Sequence, residues 1–263
     1  MVKVVVSDLD GTLLNGEHRV SSYTCERIQK LAERDIEFLI ATGRHYCDLN
    51  HIVEALGGNI YLITSNGAQV HDRDGALVHS VTIPKNLVDE VITISRGYDV
   101  QVNVYSENAW YVEQPNERLL TMHHDSKFYY RQVSFRQISL EGIFKIYFCG
   151  QHEQLQRLCL DLKNRYVDQL SITFSFDTIL EVMGKDVSKA SALGVFGQRE
   201  SFSLDKMMAF GDGLNDLEML QAVGHAVVMD NAHPKVKQSI TDYNTAPVNT
   251  DDGVARYLEE YFW

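Results

Sequence analysis

Three times in the first 67 residues, a short apolar run stops at a polar, glycine-containing turn. Val4-Val5-Val6 leads into Asp8-Leu9-Asp10-Gly11, Ile36 to Ala41 into Thr42-Gly43-Arg44, and Tyr61 to Thr64 into Ser65-Asn66-Gly67. Runs of this length, rich in β-branched residues and broken by glycine, predict buried parallel strands. Between the first two runs, Ser21 or Ser22 caps a predicted helix to about Arg34, with Cys25, Ile28, Leu31 and Ala32 on one face. Between the second and third, His45 to Leu56 predicts another helix, closed by Gly57-Gly58. Strand alternating with helix predicts a parallel sheet with right-handed crossovers.

The rhythm then changes. Val70 to Val81 has the pattern of a hairpin around Asp72-Arg73-Asp74-Gly75. Pro84 opens a helix to about Tyr98, and Val100 to Tyr105 and Ala109 to Val112 follow as paired strands. Pro115 to Leu140 has no firm period. Ile143 to Cys149 reads as a strand, Glu153 to Tyr166 as a helix, and Leu170 to Phe174 with Ile179 to Met183 as a strand pair. Alternation returns with Ser188 to Phe196 (helix), Met207 to Phe210 (strand), Leu214 to Ala222 (helix), His225 to Met229 (strand) and Val254 to Tyr261 (helix). The expected fold is α/β, a Rossmann-like doubly wound parallel sheet formed by residues 1–82 and 186–263. Residues 83–185 form an inserted α+β domain with mostly antiparallel strands.

Composition narrows the partners. The chain of 263 residues is 44% hydrophobic and 23% charged, ordinary for a globular protein. Twenty-four Lys and Arg against 36 Asp and Glu leave a net charge of −12. Such a surface argues against nucleic acid or an anionic membrane as partner, and leaves a small anionic substrate possible where a metal and local cations receive it. No apolar run approaches the ~18 residues of a membrane span. Met1-Val2-Lys3-Val4 runs into the first strand without a signal-peptide pattern. Cys25, Cys47, Cys149 and Cys159 form no C-x-x-C pair, which fits a reducing cytoplasm better than a disulfide framework or a zinc site.

Candidate chemistry gathers at the strand ends, where open α/β sheets hold their ligands. Asp8 and Asp10 stand two positions apart at the first. Asp-Gly is also common turn chemistry, so a solvated turn is the plain alternative. Two acids brought together need a cation or a shared proton. One of such a pair can attack phosphorus while the other handles the leaving-group proton. Gly211-Asp212-Gly213-Leu214-Asn215-Asp216 again follows a short apolar strand and precedes a helix, so its acids arrive at the same edge. Several carboxylates without a soft ligand suit Mg²⁺. Thr42 and Gly43 offer a hydroxyl and unhindered N–H groups to phosphate, Asn215 an amide, and Lys189 a compact cation at a helix start. Singly, each of these has a dull explanation as a loop pair or a solvated lysine.

Taken together and in this order, the stretches resemble the four motifs of haloacid dehalogenase-superfamily phosphatases: Asp8-Leu9-Asp10-Gly11-Thr12-Leu13, Ala41-Thr42-Gly43-Arg44, Val187-Ser188-Lys189-Ala190 and Gly211-Asp212-Gly213-Leu214-Asn215-Asp216. The insertion between the second and third resembles the C2B cap of the Cof-type branch, subfamily IIB. Ser65-Asn66-Gly67-Ala68, Met229-Asp230-Asn231-Ala232 and Asp251-Asp252-Gly253-Val254-Ala255 are similar to that branch too, so the likeness spans essentially the whole chain. Thr42-Gly43-Arg44-His45, Tyr61-Leu62-Ile63-Thr64 and Lys145-Ile146-Tyr147-Phe148-Cys149-Gly150 look closest to the hydroxymethylpyrimidine pyrophosphate phosphatase subgroup.

The resemblance implies a role for each residue. Asp8 attacks phosphorus and becomes an aspartyl-phosphate. Asp10 protonates the leaving group and then activates water. Mg²⁺ is held by Asp8, the Asp10 backbone carbonyl and Asp212. Leu9 (through its N–H), Thr42, Gly43, Lys189 and Asn215 hold the phosphoryl group, and Asp216 orients Lys189 or a metal-bound water. The expected enzyme is a Mg²⁺-dependent phosphoric monoester hydrolase. Its substrate is a small phosphorylated metabolite such as a sugar phosphate, pyridoxal phosphate, a nucleotide-pathway intermediate or hydroxymethylpyrimidine pyrophosphate, and its cap closes over that substrate. The alternatives are a phosphotransferase or mutase using the same phosphoaspartate, or a non-catalytic phosphate-binding regulatory module, for which the chain is long.

Two positions depart from the branch, which commonly has glycine where Ala190 and Asp230 stand. Outside the motifs, His123-His124 reads as a surface pair with no acid partner in sight, or as a cap residue touching substrate. Trp110, Tyr111, Phe128, Tyr129 and Tyr130 read as cap packing in preference to a pocket for a ring-shaped substrate. No G-x-G-x-x-G or G-x-x-x-x-G-K-[ST] occurs, which removes dinucleotide and Walker-type readings.

Overall fold

Val4–Ser7 is buried along its whole length and lies in the middle of an eight-stranded sheet. The computed structural model describes residues 1–263 apart from the side chain of Met122. The sheet runs in the order Asn244–Ala246, His225–Met229, Met207–Gly211, Val4–Ser7, Glu37–Ala41, Tyr61–Thr64, Gln69–His71, Leu77–Ser80. Its first six strands are parallel, as the alternation predicts, and Gln69–His71 turns back antiparallel. The chain leaves Val4–Ser7 for Glu37–Ala41 on one side and returns to Met207–Gly211 on the other, which makes the end of Val4–Ser7 a topological switch point.

The chain divides into two units. The first comprises Met1–Arg44, Asn50–His79 and Ser188–Trp263; the second comprises His45–Leu49 and Ser80–Val187. In the first, the core is built by Val4, Val6, Leu39, Ile63, Ala209 and Val228 from the strands, with Leu193, Phe196 and Met219 from helices Lys189–Glu200 and Leu217–Ala222. Helix Ser22–Ala32 begins where the Ser21 hydroxyl accepts the Thr24 N–H at 3.0 Å, and it buries Ile28 and Leu31.

The second unit carries a six-stranded sheet in the order Leu170–Phe176, Ile179–Gly184, Ile143–Gly150, Val100–Ser106, Ala109–Val112, Arg131–Gln132. All its pairs are antiparallel except the last. Strand alternation gives the sheet two unlike faces. Val104, Ile146 and Val182 align on one face and belong to a core with Val88, Val91, Leu155 and Leu158 of helices Lys85–Ser95 and His152–Tyr166. Tyr105, Lys145, Tyr147 and Glu181 occupy the other face.

Several expectations are corrected. The single helix predicted over 45–56 is a tight turn, Tyr46–Asp48, followed by helix Asn50–Ala55. His45 Nδ1 accepts the Cys47 N–H at 3.0 Å, and buried Asp48 accepts the Ser126 hydroxyl, so tertiary partners outweigh the helical period. Helix Glu117–Met122 and strand Arg131–Gln132 lie inside the stretch without a readable period, and helix Pro234–Ser239 and strand Asn244–Ala246 were not expected. Among the described residues, no helix is long and apolar enough to cross a membrane.

Candidate active site

Strand register brings the polar turns to one edge of the first unit's sheet. Ser7 lies opposite Phe210 on one side and Ile40 on the other, and Ala41 opposite Ile63. The ladder continues one residue further: Asp8 N–H donates to the Phe210 carbonyl at 3.1 Å, and Thr42 N–H to the Ile63 carbonyl at 2.9 Å. Asp8, Thr42, Ser65 and Asp212 thus all lie just past strand ends.

Asp8 is buried, and its Oδ1 accepts from Lys189 Nζ at 2.6 Å. The same ammonium donates to Asp216 Oδ1 at 2.6 Å. Asp216 Oδ2 in turn accepts the N–H groups of Asp212 (3.0 Å) and Gly213 (2.8 Å), so Asp216 fixes both the lysine and the loop that carries Asp212. Lys189 is fully buried at the first turn of its helix. A reciprocal cap starts that helix, with the Ser188 hydroxyl accepting from Ser191 N–H and the Ser191 hydroxyl from Ser188 N–H. Gly67 makes the approach possible: at φ +100°, a Cβ there would lie 2.1 Å from the Ser188 carbonyl oxygen. Burial raises the Asp8 carboxyl well above the ordinary range, opposed by Lys189 and reinforced by Asp216 and Asp212. Burial alone would lower the Lys189 ammonium, but Asp216 and Asp8 outweigh it and hold it charged.

Leu9–Leu13 forms a single wide turn closed by Leu14 N–H donating to the Leu9 carbonyl at 2.9 Å. Asp10 leaves this turn and meets Arg44, whose Nε donates to Oδ2 at 2.7 Å and whose Nη2 donates to Oδ1 at 2.6 Å. The exposed His18 ring stands 3.7 Å from the same Oδ1. Burial would raise Asp10, but Arg44 overrides it and holds the carboxyl well below the usual range. Thr42 is buried, and its hydroxyl accepts the Arg44 N–H at 3.1 Å. Asn215 donates its amide to Asn66 Oδ1 at 3.0 Å, and Asn66 N–H donates to the Thr42 carbonyl at 2.9 Å.

Asp212 Oδ1 accepts the Thr12 hydroxyl at 2.7 Å. Its carboxylate fills the space beside Gly11, where a Cβ would lie 2.4 Å from Oδ2. Ligand atoms of Asp8, Asp212 and Asp216 lie within 4.8 Å of one another. Burial, followed by the neighbouring Asp216 charge, pushes the Asp212 carboxyl up to about 7, the mark of crowded anions that a cation would relieve. Hard oxygen donors in a cradle kept open by glycine fit Mg²⁺.

Three contributors escaped the sequence reading although they lie inside the quoted motifs: Thr12, Arg44 and Asn66. A fourth is Asn231, whose Nδ2 donates to the Gly11 carbonyl at 2.7 Å while its Oδ1 accepts the Asn249 N–H at 3.0 Å. Asn249 Nδ2 then donates to the Leu14 carbonyl at 2.7 Å, so two amides staple the middle of the wide turn and the residue that follows it. No sequence signal marks Asn249.

The remaining candidates fall elsewhere. His123 does have an acid partner, against expectation: its Nδ1 lies 2.8 Å from Asp48 Oδ1 in the second unit, while His124 is exposed. Trp110 is fully buried and donates to Asn103 Oδ1 at 3.0 Å, Tyr130 packs against its ring, and Phe128 stacks on His45 with centroids 4.4 Å apart. Of the two departures from the branch pattern, Ala190 simply continues the Lys189–Glu200 helix, and exposed Asp230 pairs with Lys237 at 3.3 Å.

A family model described as haloacid dehalogenase-like hydrolase matches residues 5–258. The HMP-PP phosphatase of Serratia proteamaculans (strain 568) is 34% identical over 262 residues, covering 99% of this chain and 96% of that protein. A solved haloacid dehalogenase-like hydrolase from B. subtilis is similar with a TM-score of 0.89 at 26% identity, covering 98% of this chain and 99% of that one. A solved HAD subclass IIB sugar phosphatase gives 0.86 at 25% identity, with 99% of both chains covered. The match extends over both units, and the chain belongs to the haloacid dehalogenase-like hydrolase family, as one of its phosphatases.

Proposed function

We propose that this phosphatase is Mg²⁺-dependent and moves a phosphoryl group from a small phosphorylated metabolite to Asp8 and then to water. Asp8 Oδ forms a bond to phosphorus as the bond to the leaving oxygen breaks, and Asp10 gives that oxygen a proton. Water then attacks the phosphoaspartate, Asp10 takes its proton back, and inorganic phosphate leaves with Asp8 restored. Lys189, Thr42, Gly43, Asn215 and the Leu9 N–H hold the phosphoryl oxygens, and Asp216 keeps Lys189 in place. Asp8, the Asp10 carbonyl and Asp212 would hold Mg²⁺, which would supply positive charge against those oxygens. The second unit acts as the cap that selects the leaving group.

The observation that carries this reading is the buried Asp8–Lys189 contact of 2.6 Å beyond the central strand. The named relative points to a compound of the HMP-PP kind as substrate, with sugar phosphates and pyridoxal phosphate as further members of the same class. Phosphate release from a panel of these compounds tests it. At least one is turned over with Mg²⁺, and chelation by EDTA abolishes that turnover; undiminished release in EDTA contradicts the metal's role.

A further inference from the structure

The turn after strand Tyr61–Thr64 touches three of the arms assigned above to the phosphoryl group. Ser65, Asn66 and Gly67 have φ of +50°, +58° and +100°, three left-handed residues in succession. Ser65 N–H donates to the Arg44 carbonyl and Asn66 N–H to the Thr42 carbonyl, each at 2.9 Å, which ties the turn to the Thr42-Gly43 loop. Gly67 packs against Ser188, the residue before Lys189. The Asn66 side chain reaches the third arm, its Oδ1 accepting from Asn215 Nδ2 at 3.0 Å across 149 positions of sequence. Asn66 is 2% exposed.

A left-handed asparagine has a plain explanation, because asparagine enters this conformation more readily than most residues, and glycine more readily still. That explanation covers the backbone and leaves out the side chain, which is buried and bonded to a distant loop. Asn215 carries two N–H donors on one nitrogen. With one given to Asn66, the amide plane is fixed, and so is the direction of the second N–H. Asn215 Oδ1 is turned to its own loop, where a Cβ on Gly213 would lie 2.5 Å from it. We propose that Asn66 is a positioning residue for phosphoryl binding. Its side-chain oxygen holds the Asn215 amide so that the second N–H meets a phosphoryl oxygen, while its backbone N–H anchors the Thr42-Gly43 loop beside it. This inference rests on the reading of Asn215 as a phosphoryl ligand.

The test measures the dissociation constant of inorganic phosphate by calorimetric titration with Mg²⁺ present, in wild type, Asn66→Gly, Asn215→Ala and the double variant. Glycine at position 66 keeps the left-handed backbone and the N–H bonded to Thr42, and removes only the side-chain amide. A dissociation constant does not depend on the fraction of a preparation that folds. Asn215→Ala is expected to weaken phosphate about tenfold or more, the order of a hydrogen bond to a charged group. Asn66→Gly is expected to weaken it about threefold to tenfold when Asn215 is present, and less than about twofold when Asn215 is already alanine, because coupled residues are not additive. A general loosening of the turn would cost the same in both backgrounds.

Equal losses from Asn66→Gly in the two backgrounds, or no loss in either, overturn the proposal and leave Asn66 a structural turn residue. If Asn215→Ala binds phosphate as tightly as wild type, the reading of Asn215 as a ligand is what fails, and the role of Asn66 falls with it. If wild type binds no phosphate, both readings fall together.

Discussion

Lys189 shows how much one side chain settles at this edge of the sheet. It is fully buried and contacts two carboxylates at 2.6 Å, so removing it leaves Asp8 and Asp216 crowded without a cation. Lys189→Met is expected to cost about 3 kcal/mol of stability, the order seen when one partner of a buried pair is removed. It should also cost about 100-fold or more in kcat through lost charge stabilisation; denaturant unfolding and steady-state kinetics check the two separately. Asp212 makes a pH prediction. Its carboxyl is pushed up to about 7, so below that pH it holds a proton that a bound cation must displace. Mg²⁺ half-saturation is therefore expected to weaken as pH falls through about 7, approaching about tenfold per unit for one displaced proton, and to level off above it. A metal titration at pH 6 and pH 8 that gives equal affinities contradicts this.

At the scale of elements, the close packing of loops against one helix start decides whether those side chains meet. Gly67 at φ +100° admits the Ser188 carbonyl, and a methyl group there has no room. Gly67→Ala is expected to cost about 1–3 kcal/mol from backbone strain, with the added clash moving Lys189. A wild-type melting temperature with wild-type kcat would contradict it. Asn231→Ala releases the Gly11 carbonyl and is expected to lower kcat more than it lowers stability, because the staple lies on the protein surface but orients the turn carrying Asp10. The strands were legible because β-branched runs and their glycine-containing stops announce them, and the parallel order followed from their alternation with helices. What failed was local pattern overruled by distant partners. Asp48 breaks the helix expected over 45–56 because its carboxylate is claimed by Ser126 and His123, some 75 residues away. Strand Asn244–Ala246 has three residues and no apolar run, and only pairing with His225–Met229 defines it. The motif residues themselves could be read, yet the fork of Arg44 on Asp10 and the amide link through Asn249 depend on register and turn geometry that spacing does not encode.

On the scale of the whole chain, each unit carries a hydrophobic core of its own among the described residues. The second unit's core centres on residues such as Phe148, fully buried among Val88, Leu155 and Leu180. Phe148→Ala is expected to destabilise this unit by about 3–5 kcal/mol. With two cores, unfolding need not follow a single transition, so the loss is best read by hydrogen exchange within residues 80–187. Protection there should fall while that of Val4–Ser7 holds, and a uniform fall across the chain would contradict this. The acidic balance of −12 makes local cations all the more necessary for an anionic substrate, and Lys189 supplies one amid the carboxylates. The proposed reaction depends on Asp8 as the nucleophile. The most direct test is acid quenching during turnover of a substrate labelled in the transferred phosphoryl group, with wild type and Asp8→Asn side by side. The label is expected on the wild-type peptide containing Asp8, and Asp8→Asn should neither acquire label nor release phosphate. Phosphate release by Asp8→Asn at the wild-type rate, or label on another residue, would contradict the account.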